Sequence, residues 1–179
     1  MMLDIEAGTL TGIDIPELES KSFVIRDIIR YEDNILLSAD GEGLVVIDTT
    51  LKYVTGYVSN EDYPNTLSNN GIYDLLIDRQ NRLWITTYGG GLNIYDPNKK
   101  AFSVFRHEQN NVNSLRNNMA RSVVEDEMNR LWFGTRKGIS IMNISTGNFQ
   151  HIEYGEERDD LSAEIALSMI SDRRGRIWV

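Results

Sequence analysis

Polar and aromatic side chains of unlike kinds recur at fixed offsets along these 179 residues. Four residues after Leu36, Trp84 and Trp132 stand Asp40, Tyr88 and Arg136. Lys137 follows Arg136, where the other two places have Gly41 and Gly89. Tyr73 and Arg121 form a second unlike pair at matching places. An aromatic face with cations and carboxylates beside it suits a sugar, above all an acidic one. The ring offers a stacking surface and the charged groups offer directed hydrogen bonds. The competing reading of each residue is an ordinary solvated loop position.

Catalytic and metal chemistry finds less to build on. The two histidines, His107 and His151, are not equivalent in the repeat and belong to no metal-ligand spacing. There is no Gly-x-Ser-x-Gly turn and no cysteine, hence no thiolate ligand and no disulfide. Gly89-Gly-Gly91 follows a strand but opens another strand, and no Lys-Ser pair follows, so a phosphate loop is excluded. Asp78, Asp126 and Asp172 repeat and read as turn caps. Asn69, Asn70, Asn117 and Asn118 read as loop scaffolding. The acidic run from Glu153 to Asp160 reads as a solvated loop. No catalytic residue, metal ligand or cofactor is expected.

These side chains need a repeating frame to hold them. Asp78-Arg-Gln-Asn-Arg-Leu-Trp84 returns as Asp126-Glu-Met-Asn-Arg-Leu-Trp132 and as Asp172-Arg-Arg-Gly-Arg-Ile-Trp178. The tryptophans are 48 and 46 residues apart (132 − 84 and 178 − 132). Leu67-Ser-Asn-Asn70 matches Leu115-Arg-Asn-Asn118 and, more weakly, Leu161-Ser-Ala-Glu164. Gly91-Leu-Asn-Ile-Tyr-Asp96 matches Gly138-Ile-Ser-Ile-Met-Asn143, with Phe102 and Phe149 beyond. An eroded earlier copy places Leu36 at the Trp84 position, Gly43 to Asp48 at the Gly91 position and Val54 at the Phe102 position. Asp4 and Leu10 repeat the spacing of Asp96 and Phe102.

Each copy reads as four short strands, as in Tyr73 to Asp78, Leu83 to Thr87, Leu92 to Tyr95 and Phe102 to Arg106. Four-stranded units at this period are propeller blades. The fold expected is all-β, with blades over 18–64, 65–112 and 113–158. Residues 1–17 would be the tail of a preceding blade and 159–179 the first strands of a further one. One blade cannot bury both its faces, so Leu36, Trp84, Trp132, Trp178, Leu67, Leu115, Phe102 and Phe149 are expected to form the core between blades.

The formal net charge of −9 disfavours nucleic acid and anionic lipid as partners. No apolar run reaches the roughly 18 residues of a membrane span. The first ten residues lack the basic start and apolar stretch of a signal peptide.

The run Leu-Ser-Asn-Asn, then Asp-x-x-Asn-Arg-Leu-Trp-Ile, then Gly-Gly-Leu-x-x-Tyr-Asp-Pro resembles the two-component regulator propeller repeat. The resemblance covers nearly the whole chain. It implies the periplasmic sensor region of a hybrid two-component protein in a glycan-degrading bacterium. Such a region usually has two consecutive seven-bladed propellers and a β-sandwich, followed by a membrane helix, a histidine kinase and a DNA-binding output. Recognition of oligosaccharides is the implied role. A protein-interaction propeller is the alternative, and a propeller glycosidase or lyase the third reading.

The chain departs from the family in extent. It holds under four blades' worth of repeat and stops at Ile177-Trp178-Val179, inside a second strand. It is therefore expected to be a piece of a sensor whose kinase and remaining blades lie elsewhere. Open blade edges would favour self-association, with two chains head to tail closing an eight-bladed ring. A four-bladed ring or an open arc are the other outcomes.

Overall fold

The computed structural model describes residues 2–4, 6–12, 15–19, 23–152 and 165–179. Leu161–Glu164 and the acidic run at 153–160 lie outside the described residues. Three four-stranded antiparallel sheets follow one another along the chain, each in simple up-and-down order. The first comprises β3 (Ile25–Tyr31), β4 (Asn34–Ala39), β5 (Gly43–Asp48) and β6 (Tyr53–Tyr57). The second comprises β7 (Ile72–Ile77), β8 (Leu83–Thr87), β9 (Gly91–Asp96) and β10 (Ala101–Phe105). The third comprises β11 (Ala120–Glu125), β12 (Arg130–Thr135), β13 (Gly138–Asn143) and β14 (Phe149–Ile152). Two shorter hairpins flank them, β1 (Met2–Asp4) with β2 (Thr9–Thr11) and β15 (Ile170–Ser171) with β16 (Ile177–Trp178). This is the β-propeller class, built of four-stranded blades. A four-residue helix, α1 (Pro16–Glu19), straddles the blade boundary expected between residues 17 and 18.

The tight turns follow from their residues. Asn81, Asn129 and Gly175 hold positive φ (60°, 61° and 73°) at the same place between first and second strands. These are residue types that tolerate the left-handed region. Gly43, Gly91 and Gly138 open the third strands, also at positive φ. A Cβ at Gly91 would press into the Phe105 carbonyl of the fourth strand, so the close approach of these strands requires glycine.

The core lies between sheets. Leu36, Leu44 and Val46 of the first sheet pack with Leu75, Ile85 and Phe102 of the second and with Leu67 of the loop before it. Trp84 and Leu92 of the second pack with Val123, Leu131 and Phe133 of the third and with Leu115 of the loop before it, and Phe149 packs against that group half-buried. Trp132 packs with Ile139, Ile141, Ala166 and Met169, the last two coming from the segment before β15. The opposite face of the first sheet is covered by Ile15, Leu18 and Phe23 around α1.

Trp178 corrects the expectation of a core position. It is 55% exposed, and among the described residues no further sheet packs over it. Its indole is nevertheless fixed, because Nε1 donates to Asp172 Oδ2 at 3.0 Å.

That clamp is the same in three copies. Asp78 Oδ1 accepts the amides of Gln80 and Arg82, while Oδ2 accepts Arg82 Nε at 2.7 Å and Trp84 Nε1 at 2.8 Å. Asp126 does the same for Met128, Arg130 and Trp132, and Asp172 for Arg174, Arg176 and Trp178. Each arginine also lies over its own indole, with 5.1–5.5 Å from guanidinium carbon to ring centroid. The repeated aspartates thus cap turns and anchor the tryptophans as well.

Candidate functional site

The first strand of each blade carries one residue too many for its ladder. Register shifts fall between Ile25 and Asp27, between Ile72 and Asp74, and between Ala120 and Ser122. The residues left over are Arg26, Tyr73 and Arg121. A bulge turns its extra side chain out of the sheet's alternation and aims it elsewhere. Here the three side chains meet. The guanidinium of Arg26 sits 5.2 Å from the Tyr73 ring centroid and that of Arg121 sits 5.1 Å from it. One phenol ring is therefore shared by two cations on neighbouring blades.

The turn between second and third strands adds to this row. Asp40 Oδ2 alone accepts both Arg26 Nε at 3.0 Å and Nη2 at 2.5 Å, an ion pair through one carboxylate oxygen that is partly exposed. The Tyr88 ring lies 6.0 Å from the Tyr73 ring and is 53% exposed, so an aromatic face is open to solvent. Arg121 Nε is buried without a hydrogen-bond partner, and its Nη2 meets only the weakly accepting Met119 Sδ at 3.9 Å. A cation with unspent donors beside an open aromatic face can hold a carboxylate and stack a ring at once.

Strand pairing behind the row fixes its spacing. Asp27 Oδ2 accepts the amide of Leu75 at 3.0 Å, and Asp74 Oδ2 accepts the amide of Val123 at 2.8 Å. Each carboxyl thus ties its own blade to the first strand of the next. Burial, with the Asp27 charge beside it, pushes the Asp74 carboxyl up to about 6, although the Val123 and Leu75 amides pull the other way. In the third blade the equivalent residue is Ser122, whose Oγ is buried without a partner.

Four of the six residues expected to read a ligand, Asp40, Tyr73, Tyr88 and Arg121, therefore meet in one row. Arg136 and Lys137 do not join it through side-chain contacts among the described residues. Both are exposed. The Arg136 amide donates to Met119 O at 3.1 Å, and Lys137 lines a different cleft of about 300 Å³ beside His107 and His151. Arg26 is the member that the spacing alone would have found, since Arg26, Tyr73 and Arg121 stand 47 and 48 residues apart (73 − 26 and 121 − 73). The asparagines of the blade-linking loops act locally. Asn69 and Asn117 cap the amides of Gly71 and Met119, and Asn70 and Asn118 accept those of Ser59 and His107. No group of three or more His, Asp or Glu side chains able to hold a metal ion occurs among the described residues. Nor does any of them belong to a helix long and apolar enough to cross a membrane.

Known structures share this architecture. The extracellular domain of the putative hybrid two component system BT3049 from B. thetaiotaomicron superposes with a TM-score of 0.70 at 19% identity, over 89% of this chain and 22% of that one. The corresponding domain of BT4673 from the same organism gives 0.71 at 20% identity, over 95% of this chain and 24% of that one. An auxiliary nutrient binding protein from Bacteroides ovatus gives 0.54 at 11% identity, over 84% and 35%. The chain thus spans about a quarter of the two sensor domains, and at these identities the likeness is one of fold. No curated protein matches the sequence. The family model described as two component regulator propeller matches residues 66–89 and 114–137, each running from the residue before a loop leucine through the Asp-Trp hairpin. The chain has the β-propeller fold, and two of its repeats, at residues 66–89 and 114–137, match the model described as two component regulator propeller.

Proposed function

We propose that this chain supplies ligand-reading blades to the extracytoplasmic sensor propeller of a hybrid two-component protein. Its ligand is an oligosaccharide, preferably one bearing a carboxylate, and binding is relayed to a kinase elsewhere in the parent protein. One observation carries this reading: the bulge row in which Arg26 and Arg121 share the Tyr73 ring, with Tyr88 open beside it. The repeat family and the sensor domains of like fold support the setting. The role is binding rather than turnover, because the row offers a stacking face and cations but no base held against a nucleophile.

Calorimetric titration with a panel of acidic and neutral oligosaccharides tests the proposal. At least one acidic member binds, and Tyr73→Ala weakens it by roughly 30-fold, a loss of about 2 kcal/mol from the centre of the site. If no member binds, the ligand reading fails and a protein partner takes its place. Hydrolysis or elimination of a panel member by the pure protein would instead make it an enzyme.

A further inference from the structure

The loops that lead from one blade into the next share one backbone plan. The His107 amide donates to Asn118 Oδ1 as the Ser59 amide donates to Asn70 Oδ1. The Glu108 amide donates to Ser114 Oγ as that of Asn60 donates to Thr66 Oγ1. The Arg116 amide donates to Ser140 Oγ as that of Ser68 donates to Asn93 Oδ1. On this common frame the side chains differ in one direction. His107 and Arg116 stand where the preceding loop has Ser59 and Ser68. His151 pairs with Ser140 as Val104 pairs with Asn93, so an imidazole replaces an isopropyl group. Lys137 lies in the turn between second and third strands, where the preceding blade has Gly89 and Gly90. Neutral positions have thus become two cations and two imidazoles.

These four side chains line one cleft of about 300 Å³, and Glu108 alone is acidic among its described lining residues. Part of their chemistry is spent on the frame. His107 Nδ1 donates to Leu115 O at 2.8 Å, which leaves Nε2 without a protein partner among the described residues. His151 is used at both edges, for Nε2 donates to Val112 O at 3.2 Å and Nδ1 meets Ser140 Oγ at 3.2 Å. Glu108 Oε2 accepts Asn111 Nδ2 at 2.7 Å. Lys137 is exposed, and its ammonium enters no ion pair among the described residues. An unengaged ammonium and an imidazole edge beside an arginine make a seat for a carboxylate, because each can donate a charge-assisted hydrogen bond.

The cleft and the bulge row open at the same end of the third blade. Arg121 stands near the start of β11, Arg136 and Lys137 form the turn from β12 to β13, and His151 lies near the end of β14. The Arg136 amide donates to Met119 O, which ties that turn to the start of β11. Three strand spacings, roughly 14 Å, separate β11 from β14. We propose that the cleft receives a second carboxylate of the oligosaccharide whose first carboxylate Arg121 holds. The ligand is then a polyanionic chain of several sugars, laid outward across the third blade past Arg136. The proposal rests on the oligosaccharide reading of the row and adds charge number and length to it.

Galacturonic acid and its linear trimer are the probes, the first with a single carboxylate and the second with one on each ring. Each is titrated into the 179-residue chain and followed by NMR of the Arg121 Nε–Hε, Lys137 ammonium and His107 ring signals. The trimer is expected to shift all three and to bind about tenfold more tightly than the monomer. Lys137→Ala, at an exposed position, should remove that gain and leave monomer affinity at the row unchanged. Trimer shifts at Arg121 without shifts at His107 and Lys137 would overturn the cleft and leave the row standing. So would a gain that survives Lys137→Ala. Shifts at His107 and Lys137 without Arg121, or binding of neither sugar, would overturn the row and the shared ligand with it.

Discussion

Asp78 is 3% exposed and takes four hydrogen bonds, two from backbone amides and two from the side chains of Arg82 and Trp84. Burial opposes its charge, but the bonds from Trp84 and Arg82 outweigh that and hold its pKa below the usual carboxyl range. Replacement by alanine leaves the indole N–H and the guanidinium without their acceptor in a buried place. Asp78→Ala is expected to cost about 3 kcal/mol in urea unfolding. Asp172→Ala should cost well below that, because Trp178 and its clamp are exposed. Equal losses at the two sites would show that the clamp's effect does not depend on burial. The repeat made these residues legible one at a time: aspartate as turn cap, tryptophan as core, arginine as neither. What joins them is the arc of one tight turn, which brings residues four and six positions on back to one carboxylate, and linear spacing does not show that closure. Arg26 stayed hidden for a related reason. It stands in the first strand of the blade that has Leu36 in place of the tryptophan and Tyr31 in place of the aspartate, so the strongest marks of the repeat are missing beside it.

At the scale of the strand, the bulges create the candidate site and the residues after them bind the blades together. Alternation along a first strand predicts which residues face in. A residue left out of the ladder breaks that count, so the meeting of Arg26, Tyr73 and Arg121 follows from sheet geometry and not from pattern. The neighbouring carboxyl gives a pH test. Asp74 binds its proton near pH 6 in the folded chain and near its ordinary 3.8 when unfolded. Between these values the folded form holds more protons, so stability rises as pH falls from 6 toward 4 and is lost again as pH rises through 6. The gap corresponds to roughly 2–3 kcal/mol. Asp78, Asp126 and Asp172 have the opposite sign. Their folded pKa values are lowered, Asp172 to about 2, chiefly by the Trp178 bond. Their contribution is full above about pH 4 and disappears as pH falls toward 2. Thermal unfolding across pH is therefore expected to peak between about 4 and 5. Asp74→Asn should raise Tm at pH 7 and flatten the limb between pH 4 and 6. A profile unchanged by Asp74→Asn would place the titration elsewhere.

At the scale of the whole molecule, stability is a sum over blades and the faces between them. The period, the strand types and the apolar positions Leu67, Leu115, Trp84 and Phe102 were readable because every blade must bury the same faces. The ligand row was readable only in part, since reading positions differ from blade to blade. Leu167, Ile170, Trp178 and Val179 are each more than half exposed around the short β15–β16 hairpin. Self-association through that strip is expected. Light scattering should give twice the mass of the 20.5 kDa chain, and Ile170→Glu should return it to one. A single-chain mass at micromolar concentration would remove this expectation without touching the binding row.

The row itself is tested most directly by NMR of the arginine Nε–Hε groups during titration with an acidic oligosaccharide. Arg121 Nε is buried and unpartnered, and Arg26 Nε is engaged by Asp40. A large shift is expected for the Arg121 signal, with smaller changes at Arg26, Tyr73 and Tyr88. Binding that leaves the Arg121 signal in place and moves residues away from the bulge row would contradict it.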